Sequence, residues 1–151
     1  MPFEKPEEWE SELSQFMDTV KNSDPPGSIA DCVRDDTWRQ ILAYYANENY
    51  VMENVAFVSA LQPYIGSGSF DMNVGKELYG RFITDSAREQ VNLPGGVRRE
   101  LDEIYAEDEP IAPPDHFEKA YREIVNMCDA DTYSRFKLTA KEVQEHLKSQ
   151  G

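Results

Sequence analysis

Phe117-Glu-Lys-Ala-Tyr-Arg-Glu-Ile-Val-Asn-Met-Cys128 settles the fold class of this chain. Its apolar residues Phe117, Ala120, Tyr121, Ile124, Met127 and Cys128 recur three and four apart, which winds them onto one face of an α-helix. A half-buried strand would alternate them with polar residues instead. Asp115, three residues before Glu118, has the form of a capping box, so the helix is expected to start there. Downstream, Asp131 is placed to cap a short helix from Thr132 to Phe136. Thr139 and Glu142 suggest one more capping box, opening a last helix with Val143 and Leu147 inward. Upstream, the acidic and proline-rich Glu107-Asp-Glu-Pro-Ile-Ala-Pro-Pro114 reads as a connection, because proline removes a backbone donor and cannot continue a helix.

The same periodicity extends to the start of the chain. Trp9, Leu13, Phe16 and Val20 form a first helical stripe, with Pro6 suited to the first turn, and Asn22-Ser-Asp-Pro-Pro-Gly27 ends it. Ile29, Cys32 and Val33 make a short face. Asp35 or Asp36 then caps a helix carrying Trp38, Ile41, Leu42 and Tyr45. A longer helix, Tyr50 to Leu61, is expected to turn Phe57, Ala60, Leu61 and Tyr64 inward. Gly66-Ser-Gly-Ser69 reads as a flexible link before a stripe of Val74, Leu78, Phe82 and Ile83. Val91-Asn-Leu-Pro-Gly-Gly96 reads as a loop before a helix marked by Val97, Leu101, Ile104 and Tyr105. No segment needs a strand. The chain is expected to be all-α, with eight or nine short-to-medium helices and no internal repeat.

Composition bounds what such a protein does. The 151 residues, 40% hydrophobic and 11% aromatic, suffice for a real core and suggest one domain over residues 1–151. With 29 acidic and 15 basic side chains the net charge is −14. That argues against nucleic acid as the main partner, since phosphate contacts need Lys and Arg. It also argues against adhesion to anionic lipid. No run approaches a membrane span, and MPFEKPEEWE has neither the basic nor the apolar region of a signal peptide, so an intracellular protein is expected. Cys32 and Cys128 are far apart and read as small core residues in a reducing compartment. His116 and His146 have no Cys or second His at ligand spacing, so zinc is not expected.

Motifs for chemistry are few. Asp129-Ala-Asp131 begins like a calcium loop, but Ser134 and Ala140 stand where Gly and Glu are required. Gly66-Ser-Gly68 follows no strand, and the acidic run Glu100 to Glu109 has nothing apolar beside it to raise a carboxyl pKa. More unusual are polar residues where loops meet helices. Glu53 and Asn54 lie in a first helical turn, Asn92 lies in a loop between apolar Val91 and Leu93, and Asp131 and Arg135 stand one turn apart. Singly, each has an ordinary explanation as a helix-terminal acid, an Asx-turn or a cap.

Together with their surroundings, these residues resemble the RGS domain, the regulator of G protein signalling family, over roughly residues 28 to 137. Trp38-Arg-Gln-Ile-Leu-Ala-Tyr-Tyr looks like the helix before the family's acidic connection. Glu53-Asn-Val-Ala-Phe-Val-Ser-Ala is similar to its E-N-I-x-F-W-x-A block. Tyr79-Gly-Arg-Phe-Ile, followed by Val91-Asn-Leu, resembles Y-x-x-F-I … V-N-L. Phe117 to Ile124, leading to Asp131-Thr-Tyr-Ser-Arg-Phe136, resembles F-x-x-A-x-x-x-I … D-S-Y-x-R-F. Each block is short, and their order and spacing make the match specific.

The resemblance implies a bundle of about nine helices, a central antiparallel four-helix bundle plus a subdomain of terminal helices. It implies a protein that binds the active α subunit of a heterotrimeric G protein and accelerates its GTP hydrolysis. Such a protein acts as an activator with no active site of its own, no cofactor and no metal. By the same resemblance, Asn92 matches the asparagine that approaches the switch regions, and Glu53 with Asn54 matches the pair that contacts a switch. Asp131 matches the carboxylate that accepts hydrogen bonds from the first switch, Arg135 the arginine that holds it, and Met127 an apolar contact. A monomer is expected, cytoplasmic, recruited to the inner face of the plasma membrane by its partner or by flanking segments. Val51, Met52, Val58 and Pro94-Gly-Gly96 depart from the family pattern, which bears on the choice of α subunit. Two other readings stay open. One is an RGS-like docking or scaffold module that binds without accelerating hydrolysis; the other is an unrelated acidic helix-groove adaptor. A small-molecule enzyme ranks behind both.

Overall fold

The computed structural model describes residues 5–49, 51–65 and 70–150, so the expected link at Gly66–Ser69 lies outside the described residues. The described residues form nine α-helices and two short 3-10 turns, with no strand among them. In chain order the helices are α1 (Pro6–Glu12), α2 (Met17–Asn22), α3 (Ile29–Cys32), α4 (Asp36–Glu48) and α5 (Met52–Leu61). They continue with α6 (Met72–Phe82), α7 (Gly95–Tyr105), α8 (Glu118–Ala130) and α9 (Thr132–Ser149). Helices α5, α6, α7 and α8 each pack on the next, and α8 closes back onto α5, which makes the four-helix bundle. Helices α1 and α2 lie on α9 and form the terminal subdomain, while α3 and α4 pack on α5 and α4 also reaches the terminal helices through Trp38 and Tyr45. The buried apolar side chains join into one continuous core from Trp9 to Val143.

Five local expectations are corrected. The first stripe is one continuous apolar face but not one helix. Leu13 leaves helical dihedrals (φ −119°, ψ 29°), and a 3-10 turn over Ser14–Phe16 intervenes before α2. Leu13, Phe16 and Val20 nevertheless all stay buried, and α1 and α2 both pack on α9. Helix α8 starts at Glu118, and Asp115 contributes only its backbone carbonyl, 2.9 Å from the Glu118 amide, instead of a capping side chain. The turn before it is fixed by His116, whose Nδ1 lies 2.7 Å from the Pro113 carbonyl.

Helix α9 runs unbroken from Thr132 to Ser149, so no second capping box opens at Thr139. That threonine is buried, and its hydroxyl donates to the Arg135 carbonyl at 3.0 Å, one turn back in the same helix. With neither Gly nor Pro in the segment, nothing stops the helix. Gly95 and Gly96, read as loop, form the first turn of α7 behind Pro94. Helix α5 is also more enclosed than one stripe implies. Val55, Ala56, Phe57, Val58 and Leu61 are all buried, while Ala60 and Tyr64 are only half-buried, because α3, α4, α6 and α8 surround it.

Other expectations hold. Asp35 caps α4 by accepting from the Thr37 and Trp38 amides at 3.0 Å each. Pro6 occupies the first turn of α1. Phe136 of α9 sits among Trp9, Trp38, Tyr45 and Tyr133, with ring centroids 5.2 to 6.1 Å away, and joins the terminal subdomain to α4. The buried Gln144 carboxamide nitrogen lies 3.2 Å from the Val20 carbonyl, 3.0 Å from that of Ser23 and 3.1 Å from Asp24 Oδ1, fastening the end of α2 to α9. Nearby, the Tyr133 hydroxyl donates to the Pro26 carbonyl, and Lys137 Nζ donates to that of Gly27 at 3.0 Å.

At the α6–α7 contact, Tyr79 and Tyr105 stack with centroids 4.7 Å apart. They approach so closely that a methyl group at Gly75 would overlap the Tyr105 hydroxyl. That hydroxyl lies 2.6 Å from His116 Nε2. Since the Pro113 carbonyl only accepts, Nδ1 carries the hydrogen, and Nε2 of the neutral ring accepts from Tyr105. Burial pushes the His116 pKa below its ordinary 6.5, against smaller opposing effects of the Pro113 carbonyl and Asp115. As pH falls through 6.5, the unfolded chain therefore takes up this proton first, and the folded state loses stability. Urea unfolding from about pH 7.5 to about pH 5.5 is expected to show a larger loss for wild type than for His116→Asn. Equal losses would contradict the assignment.

Candidate functional site

Three of the residues singled out in the sequence, Met127, Asp131 and Arg135, lie where α8 ends and α9 begins. Met127 and Cys128 occupy the last turn of α8, the chain reverses at Asp131, and α9 leads away with Arg135 one turn in. The Asp131 amide is shared between the Met127 and Cys128 carbonyls, 3.2 Å from each. Asp131 stands at the N-cap position of α9 as expected, but its side chain does not cap. Its Oδ1 instead lies 3.0 Å from Arg135 Nε, and both side chains remain well exposed. A carboxylate held by an adjacent guanidinium keeps its other lone pairs turned outward, ready to accept from a partner.

Cys128 is fully buried behind this turn, and burial pushes its pKa up to about 12. The charges of Asp129, Glu53 and Asp131 reinforce the shift. Glu53 comes from the first turn of α5, the helix that packs along α8. A carboxylate there is favoured by the positive end of the helix dipole. Asn54 is half-buried beside it. Cys32 is likewise buried, also with a pKa near 12, so both thiols stay protonated and unreactive at neutral pH.

On the other flank of α8, Asn92, Leu93, Pro94, Glu123 and Met127 line an open depression of about 420 Å³. Asn92 is exposed, on a loop pinned by the buried Val91, whose amide donates to the Phe82 carbonyl at 2.9 Å. Met127 is 38% exposed, high for so apolar a residue one position from a buried cysteine. The structure therefore links Asn92 to Met127 through a shared depression, and Met127 through the chain to Asp131 and Arg135. Glu53 stands at the start of α5, which packs on α8. Asn54 follows Glu53 in the first turn of α5.

Two residues here were not singled out from the sequence. Glu123 lies one turn before Met127 on the same helical face, a spacing that could have flagged it. Asp129 Oδ1 accepts from the Ile29 amide at 2.9 Å and ties α3 to the end of α8. A contact spanning 100 residues leaves no local signal. Among the described residues, no group of three or more His, Cys, Asp or Glu could hold a metal, and no helix is long and apolar enough to cross a membrane.

The arrangement is a rigid surface of acceptors (Glu53, Glu123, Asp131), one carboxamide that both donates and accepts, and one exposed thioether. Such a surface can recognise a protein; it carries no paired nucleophile and base. No curated protein matches the chain. The family model of the regulator of G protein signaling domain matches residues 28–141.

Proposed function

Because this chain belongs to the regulator of G protein signalling family, we propose that it accelerates GTP hydrolysis by the active α subunit of a heterotrimeric G protein. On this reading, the contact surface is the patch of Glu53, Asn54, Asn92, Met127, Asp131 and Arg135. What supports the reading is the depression shared by Asn92 and Met127, the Asp131–Arg135 pair just beyond it and the packing of α5 on α8. The α subunit supplies its own arginine and a glutamine that orients the attacking water, so a helper need bring no cation to the phosphate. It need only bind more tightly when the switch regions hold their hydrolytic arrangement. A 100-fold acceleration asks for about 2.7 kcal/mol of such selectivity, at ~1.36 kcal/mol per factor of ten. About two or three charge-assisted hydrogen bonds from a preorganised surface meet that requirement.

The α subunit would also bring this domain to its membrane, as a monomer in which residues 1–151 fold as one unit. The test is single-turnover hydrolysis by GTP-loaded α subunits with and without the protein, beside pull-downs of α subunits carrying GDP, a GTP analogue, or GDP with aluminium fluoride. Acceleration with preference for the aluminium fluoride state is expected. Binding without acceleration would identify a docking module instead, and no preference among the three states would remove the α subunit as partner.

A further inference from the structure

A separate cavity of about 650 Å³ opens where α3, α4, α5 and α6 meet. Met52, Val55 and Ala56 of α5 give it an apolar floor, while Arg34, Arg39 and Arg81 line it with guanidinium groups. No Asp or Glu is among its described lining residues, although acids outnumber bases 29 to 15 in the chain. The charged side chains of the described lining are thus all cations, and their carboxylate partners lie outside it.

The three guanidiniums are held in place from outside. Arg34 pairs with Asp31 at 3.4 Å, Arg39 with Asp36 at 3.0 Å and Arg81 with Glu89 at 2.8 Å. These pairs sit largely in water, where each contributes little. Arg39 also donates to the Val33 carbonyl at 3.2 Å. The Gln62 carboxamide, oriented with its oxygen toward Arg34, accepts from that side chain. A guanidinium has five N–H donors, and its planar fork suits the paired oxygens of a phosphate or carboxylate.

We propose that this cavity binds a soluble organic anion with an apolar body, such as an aryl or short-chain alkyl phosphate. The anionic group meets the arginines and the body covers Met52, Val55 and Ala56. The volume falls in the range of small-molecule sites. Inorganic phosphate lacks the body, and a neutral alcohol lacks the charge.

Titration calorimetry of the full chain with phenyl phosphate, inorganic phosphate and phenol tests the pairing of the two features. Phenyl phosphate is expected to bind at least about tenfold more tightly than either of the others. The Arg34→Gln/Arg81→Gln double variant is expected to weaken that binding by at least about tenfold, since it removes charge-assisted hydrogen bonds to the anion. Met52→Glu, which sets a carboxylate among the guanidiniums, is expected to abolish it. Thermal unfolding checks that each variant is folded, and a saturable shift of the Met52 methyl resonance in wild type gives a readout independent of both. Equal affinity for phenyl and inorganic phosphate, or unchanged binding in folded variants, would overturn the proposal. So would co-sedimentation with phosphatidylcholine–phosphatidylserine vesicles that depends on the same arginines, because the cavity would then serve a membrane.

Discussion

Replacing Asn92 with alanine is expected to lower the accelerated single-turnover rate of GTP hydrolysis by on the order of 10- to 100-fold while leaving the thermal transition where it was. Asn92 is exposed, so its truncation opens no cavity and leaves no buried group without a partner. Its carboxamide can donate to one group and accept from another, and alanine can do neither. If both bonds form fully only in the hydrolytic arrangement, the loss falls on the rate more than on binding to the GDP state. The neighbouring depression adds a second reading of the same variant. Leu93, Pro94 and Met127 remain after the substitution, so residual affinity for the α subunit should persist through apolar contact. An unchanged rate would remove Asn92 from the contact surface.

Phe136→Ala is expected to carry the largest cost in stability, about 3–5 kcal/mol out of a total of roughly 5–15 for a domain of this kind. Phe136 is fully buried and touches four aromatic rings drawn from α1, α4 and α9. Those rings are rigid and cannot all move in to fill the space it leaves. Urea unfolding would measure the loss directly, and a change below about 1 kcal/mol would mean that the cluster is not the keystone of the terminal subdomain. The effect should reach the proposed contact surface, because Arg135 immediately precedes Phe136. Loosening the first turns of α9 frees the arginine that holds Asp131, so acceleration should fall even under conditions where the variant is still folded.

What the sequence made legible follows from the range over which each signal acts. Apolar residues three and four apart identified α4, α6, α7 and α8, since the helical period is local and each of these helices buries one face. The same signal under-described α5, because a helix enclosed on several sides has no polar face to contrast with. Ends were less legible than middles. Asp35 acts as a cap, yet Asp115 and Thr139 occur in similar patterns and do not, because tertiary contacts of Phe117 and the back-bonded Thr139 hydroxyl decide those positions. The patch was legible only through a known pattern of blocks. Nothing in the spacing of Glu53, Asn92 and Asp131 relates them; the packing of α5 on α8 and the Val91 anchor, which set the positions of Glu53 and Asn92, act over long range.

The protonated state of both sulfurs has a practical side. Maleimide dyes attack thiolates, and neither Cys32 nor Cys128 offers one at neutral pH, so a single cysteine introduced at the exposed Ala130 should take the label alone. That position adjoins Asp131, and a fluorophore there would report docking of an α subunit in real time without first rebuilding the interior to remove its native sulfur.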